Sequence, residues 1–163
     1  MKVEMMKNEV VISDFDELEV LKISMKIEMD GEKFYKSALE KATDERMKRT
    51  FRRLAEDELS HLNTFKGIYE AELRERKLQP DDVDFEEDVF TYIDSGIFMK
   101  ESIAHSVKEA VLDGEIAELR SILLYKEMEK LTQRESAKKA LAEILEQENM
   151  HLNILKSWEA AIK

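Results

Sequence analysis

Glu58-Leu-Ser-His61-Leu-Asn63 returns ninety residues later as Glu148-Asn-Met-His151-Leu-Asn153. The chain has three histidines, and two of them follow a glutamate by three positions. Residues i and i+3 share a face of a helix, so each Glu-x-x-His offers a carboxylate and an imidazole together, a pair suited to a divalent cation. The same shift aligns Glu28-x-x-Gly31-x-x-Phe34-Tyr35 with Glu118-x-x-Ser121-x-x-Leu124-Tyr125. Thirty residues separate Glu28 from Glu58, and thirty separate Glu118 from Glu148. The pattern is a duplicated helical hairpin.

The spacing has a geometric consequence. Thr43 lies midway between Glu28 and Glu58, and Gln133 midway between Glu118 and Glu148. Fifteen residues of helix rise about 22 Å, so an antiparallel return of equal length sets the two glutamates of each hairpin at one height. Packing the hairpins face to face gathers four carboxylates and two imidazoles in one core. Four ionised carboxylates in a dry core repel one another and are poorly solvated. Two divalent cations cancel that charge, and carboxylate-rich ligation with one His per metal favours iron or manganese over structural zinc. The duplication and the matched heights favour metal binding over the alternative, in which these residues form salt bridges on boundary faces.

Composition fits helices that could hold such a site. The 163 residues contain one Pro and four Gly, and strong helix formers dominate. The length suits one domain, residues 1–163. A formal charge of −11 argues against nucleic-acid or anionic-membrane binding. The absence of Cys excludes disulfides, thiolate metal sites and thiol catalysis. No apolar run is long enough to span a bilayer, and the N-terminus does not read as a signal peptide. A cytoplasmic location is expected.

Four helices are expected. The first runs over about 13–42, capped by Ser13 or Asp14, and the second, capped by Thr43, over about 44–76. The third spans about 100–131. Thr132-Gln-Arg-Glu135 is a capping box opening the fourth, which reaches about residue 162. Each apolar stripe has a glutamate at its middle: Leu21, Met25, Glu28, Tyr35 and Leu39 in the first, and Leu141, Ile144, Glu148, His151, Leu155 and Trp158 in the fourth. Residues 1–12 form an N-terminal extension. The long connection 77–99 holds Pro80, Gly96 and an acidic cluster from Asp81 to Asp88, and has room for a short helix near 85–93. Short, long and short connections give an all-α bundle of two antiparallel hairpins joined by a crossover, the arrangement of ferritin-like di-metal carboxylate proteins.

Over about residues 18–160 the sequence resembles the rubrerythrin branch of the ferritin-like superfamily. The resemblance is carried by Glu28-Met-Asp-Gly31-Glu-Lys-Phe34-Tyr35, Glu58-Leu-Ser-His61, Glu118-Leu-Arg-Ser121-Ile-Leu-Leu-Tyr125 and Glu148-Asn-Met-His151. It implies two iron ions (manganese being possible), bridged by Glu58 and Glu148. Glu28 with His61 would complete one metal's ligands, and Glu118 with His151 the other's. It also implies a peroxide- or dioxygen-reducing oxidoreductase or ferroxidase that answers oxidative stress, and a homodimer. The alternative is a non-catalytic iron-binding, structural or sensing protein. Rubrerythrins proper carry a cysteine-bound iron domain that this sequence lacks, so electrons are expected from a separate protein such as rubredoxin. The family's extra glutamate one turn after the third-helix ligand is here Ser121, which puts peroxidase cycling in question but not metal binding. Glu115, one turn before Glu118, is a candidate substitute, with a solvent-facing side chain as the alternative.

Tyr35 and Tyr125 lie two turns from Glu28 and Glu118. They are candidates to hydrogen-bond the ligands or assist catalysis, with simple core packing as the alternative. Asn63 and Asn153 either steady the histidines or survive from the duplication. His105 has no partner motif.

Overall fold

The computed structural model describes residues 1–6, 8–79 and 104–162. Two short strands come first, β1 (Lys2–Met5) and β2 (Val10–Ser13), followed by α1 (Glu17–Lys41) and α2 (Glu45–Arg76). Then come α3 (Val107–Leu131) and α4 (Glu135–Ala161). α1 packs along α2 and α3 along α4, while α1 faces α3 and α2 faces α4 across the hairpins. The result is the expected four-helix bundle. Among the described residues no helix is long and apolar enough to cross a membrane.

The helix starts differ from the sequence expectation. Ser13 ends β2 and Asp14 adopts a left-handed φ of 51°, so neither caps α1. Asp16 does, its Oδ1 accepting hydrogen bonds from the amides of Leu18 at 2.9 Å and Glu19 at 3.1 Å. Asp44, not Thr43, caps α2, accepting from Arg46 at 2.9 Å and Met47 at 3.1 Å. Ser106 caps α3, so this helix begins later than the expected residue 100. The capping box at Thr132 does not form. Arg134 occupies the N-cap position of α4 without a side-chain bond, and Thr132 is instead the C-cap of α3, its hydroxyl donating to Glu17 Oε1 at 2.8 Å and accepting from the Arg134 amide at 3.3 Å. The proposed short helix at 85–93, the acidic cluster, Pro80 and Gly96 lie outside the described residues.

The N-terminal extension is an antiparallel hairpin with Val3 opposite Ile12. Val3, Val10 and Ile12 are buried. Two strands alone are marginal in water, and this pair is held by packing its inward face on the helices. The Met1 ammonium adds an ion pair to Glu19 at 3.0 Å.

Two apolar clusters fill the bundle. One joins the strand residues with Leu21, Phe65, Tyr125, Leu141 and their neighbours. The other holds Phe34, Tyr35, Phe51, Leu54, Val111 and Leu155. A fully buried side chain of this size contributes roughly 1.5–3 kcal/mol. These clusters supply the rigidity that holds a polar centre in a fixed geometry.

Candidate metal centre

Glu28 on α1, Glu58 and His61 on α2, Glu118 on α3, and Glu148 and His151 on α4 are all buried, none more than 4 % exposed. They form two groups of four. Glu28, Glu58, His61 and Glu148 each bring one ligand atom within 4.8 Å of the others, and so do Glu58, Glu118, Glu148 and His151. Glu58 and Glu148 belong to both groups. The two imidazoles stack with ring centroids 5.7 Å apart. Both point Nδ1 inward: His61 Nδ1 lies 3.0 Å from Glu148 Oε1 and 3.2 Å from Glu28 Oε2. His151 Nδ1 lies 3.4 Å from Glu58 Oε1 and 3.7 Å from oxygens of Glu118 and Glu148.

The tyrosines cross between hairpins. Tyr35 of α1 donates its hydroxyl hydrogen to Glu118 Oε1 on α3, and Tyr125 of α3 donates to Glu28 Oε1 on α1. Each ring is also packed: Tyr35 stacks on Phe51, and Tyr125 lies 5.1 Å from Phe65. Gly114 makes room for the first phenol, since a Cβ there would stand 3.2 Å from Tyr35 Oη. Gly31 does the same for Glu58, whose Oε2 would lie 3.0 Å from an added Cβ. At the equivalent position Ser121 donates to the Glu118 carbonyl at 2.9 Å and lies 3.5 Å from Glu148 Oε2.

The electrostatics follow from packing so many acids together. Burial and the charges of the neighbouring glutamates push Glu58 well above the usual carboxylate range. Burial and Glu148 do the same to Glu118. Burial also acts to raise Glu148, but the adjacent Glu118, His151 and His61 outweigh it and hold Glu148 low. For His61, burial works against the charged ring, yet Glu148 and Glu28 lift it to about 10. His151 is raised further, against burial, by Glu118, Glu148 and Glu58. Burial and the adjacent carboxylates keep both phenols protonated, far above their ordinary value.

Glu58 Oε1, Glu148 Oε1 and His151 Nδ1 are buried and make no well-aligned hydrogen bond, although His61 Nδ1 stands 3.0 Å from Glu148 Oε1 and His151 Nδ1 3.4 Å from Glu58 Oε1; buried polar atoms left so are costly. Two of the three belong to the shared glutamates, and all three face the interior of the groups. A donor set of four carboxylates and two imidazoles, with inward atoms unsatisfied, fits a pair of divalent cations.

Two polar residues absent from the sequence reading support the rings from outside. Gln147 Oε1 accepts from His61 Nε2 at 2.8 Å, and Asp57 Oδ2 accepts from His151 Nε2 at 3.1 Å. Each immediately precedes a shared glutamate, and each reaches the histidine of the opposite hairpin. The ninety-residue repeat aligns position 57 with 147, both polar, and that was the available signal. Asn63 and Asn153 are exposed, so steadying the rings falls to Gln147 and Asp57. His105 is exposed and stands apart from the centre.

An antiparallel four-helix bundle with a carboxylate and imidazole cluster at its middle defines the ferritin-like class. The rubrerythrin family profile matches residues 19–159, and the chain belongs to that family. A hypothetical protein from Pyrococcus furiosus shares the fold with a TM-score of 0.71, at 21% identity over 90% of each chain. A search of the curated proteins found no match.

Proposed function

We propose that this chain is a di-iron protein that reduces peroxide or dioxygen with electrons from a separate donor protein such as rubredoxin. The observation that carries the reading is the pair of four-residue groups sharing Glu58 and Glu148, with their inward atoms unsatisfied. Glu28 and His61 would hold one metal and Glu118 and His151 the other, with Glu58 and Glu148 between them. Manganese suits the same donors. When bound, two irons supply the two electrons that reductive O–O cleavage requires.

The chain's own residues prepare the site. Tyr35 and Tyr125 fix the terminal carboxylates Glu118 and Glu28 by hydrogen bonds from the facing hairpin. Their phenols stay protonated, so they act as donors at Oη and not as bases. The apolar clusters on either side keep bulk water out. Ser121, small and tied to the Glu118 carbonyl, supplies no further carboxylate.

The test is anaerobic stopped-flow mixing of the ferrous-loaded protein with hydrogen peroxide or dioxygen. The enzyme reading expects rapid oxidation, one peroxide consumed per two Fe(II), and repeated turnover on adding a reduced donor protein. A spectrum unchanged over minutes would contradict it and favour an iron-binding protein without turnover.

A further inference from the structure

We infer that the two metal positions are unequal: Asp57 makes the position of Glu118 and His151 hold its cation more tightly than that of Glu28 and His61, which Gln147 backs. The inference rests on the di-metal reading above and concerns residues outside the ligand set.

The types of the ligands do not distinguish the positions. Glu58 and Glu148 are common to both groups. Glu28 and Glu118 each accept a phenol hydrogen bond from the opposite hairpin. Both histidines turn Nδ1 inward and Nε2 outward. Ser121 touches Glu148, a shared residue, so its influence reaches both positions.

The difference begins at Nε2. The His61 ring donates to the neutral carbonyl oxygen of Gln147, and the His151 ring donates to the carboxylate of Asp57. A carboxylate draws the Nε2 proton more strongly than an amide does, leaving more electron density at Nδ1 and a stronger bond to a cation there. Arg53 lies 3.5 Å from the same Asp57 oxygen. Its side chain is 67% exposed, so water screens most of its competing pull. Asp57 and Gln147 are therefore positioning residues, one charged and one neutral, at equivalent places in the two repeats. The two positions would fill in order, that of His151 first.

The test uses chelator-treated full-length protein and Co(II) alone, followed anaerobically by its visible absorption and by the hyperfine-shifted Nε2–H protons of the ligating rings. The wild type is expected to bind two Co(II) in separate steps, one shifted ring proton appearing before the other. Asp57→Asn should weaken the tighter step by about 10–100-fold, move the first-appearing proton signal, and leave the weaker step in place. Gln147→Glu should tighten the weaker step and bring the two together. Should Asp57→Asn fail to fold by circular dichroism, Gln147→Glu alone decides the matter. Two equal steps in the wild type, or variants that shift both steps alike, would overturn the inequality while leaving the di-metal reading intact. No uptake of Co(II) by the wild type would overturn both.

Discussion

Glu72 and Glu58 are buried carboxylates on the same helix, and the protein treats them in opposite ways. Glu72 sits near the end of α2, where Arg76 Nε approaches its Oε1 at 2.6 Å and Arg134 reaches its other oxygen. The same arginines extend to Asp16 at 2.8 Å and Glu75 at 2.7 Å. Although burial works against ionisation, Arg76 and the amides of Glu19 and Leu18 hold Asp16 below its ordinary value. At the bundle end, then, each of these acids meets a guanidinium supplied by the chain itself. At the middle, Glu58 meets three other glutamates, and the partners on hand are two imidazoles and two phenols. One region closes an interface between helices, and the other leaves an excess of acid that a cation can balance.

The largest effects should come from removing the shared glutamates. Glu58→Ala or Glu148→Ala is expected to abolish binding of both metals, a greater loss than the roughly 100-fold that outer-sphere changes cost. Glu118→Ala should abolish one of two. Elemental analysis after anaerobic iron loading reads the stoichiometry directly. The stability of the metal-free protein should move the other way. Glu58→Gln removes a carboxylate whose ionised form is disfavoured by burial and like charge, so its metal-free melting temperature should equal or exceed that of the wild type.

A change of pH separates the two regions next. The His61 pKa in the folded, metal-free protein is raised to about 10, against about 6.5 when unfolded. A raised histidine contributes stability that is fully present below about pH 6.5 and is lost as pH rises through about 10. The metal-free protein should therefore lose stability over that window. A cation displaces the same proton, so metal affinity should climb with pH and fall toward acid. Melting curves with and without metal, recorded from pH 6 to 10, should diverge as pH rises. If the two curves run parallel, proton and metal do not compete at His61.

The tyrosines come third. Tyr35→Phe and Tyr125→Phe each delete a hydrogen bond to a carboxylate, worth roughly 1.5–3 kcal/mol. Metal affinity should fall by about 10- to 150-fold, each variant acting on the position whose glutamate it held. Competition with a chelator measures it. The smallest effect belongs to the bundle end. Arg134→Ala should lower stability by about 1 kcal/mol in a denaturant titration and leave metal stoichiometry unchanged.

The repeat explains why the centre could be read from sequence while its surroundings could not. Glu-x-x-His and the thirty-residue spacing are periodic features of long helices, and helix geometry turns them directly into matched heights. The outer partners of the rings obey no such local rule. Asp57 and Gln147 look like ordinary polar residues of a solvated helix until the opposite hairpin brings a histidine to each. Helix starts depart from the local pattern for a related reason, since Ser13, Asp14, Asp16, Thr43 and Asp44 are all competent caps and tertiary packing chooses among them. In the N-terminal extension, the β-branched run Val10-Val-Ile12 is a strand signal, but so short a run does not decide without the helices it packs on.

Anomalous diffraction from crystals of the iron-loaded protein, recorded at the iron edge, tests the central claim most directly. Two peaks per chain are predicted, one among Glu28, Glu58, His61 and Glu148 and the other among Glu58, Glu118, Glu148 and His151. Absence of anomalous density between those residues in a chain shown by elemental analysis to carry iron would contradict the account.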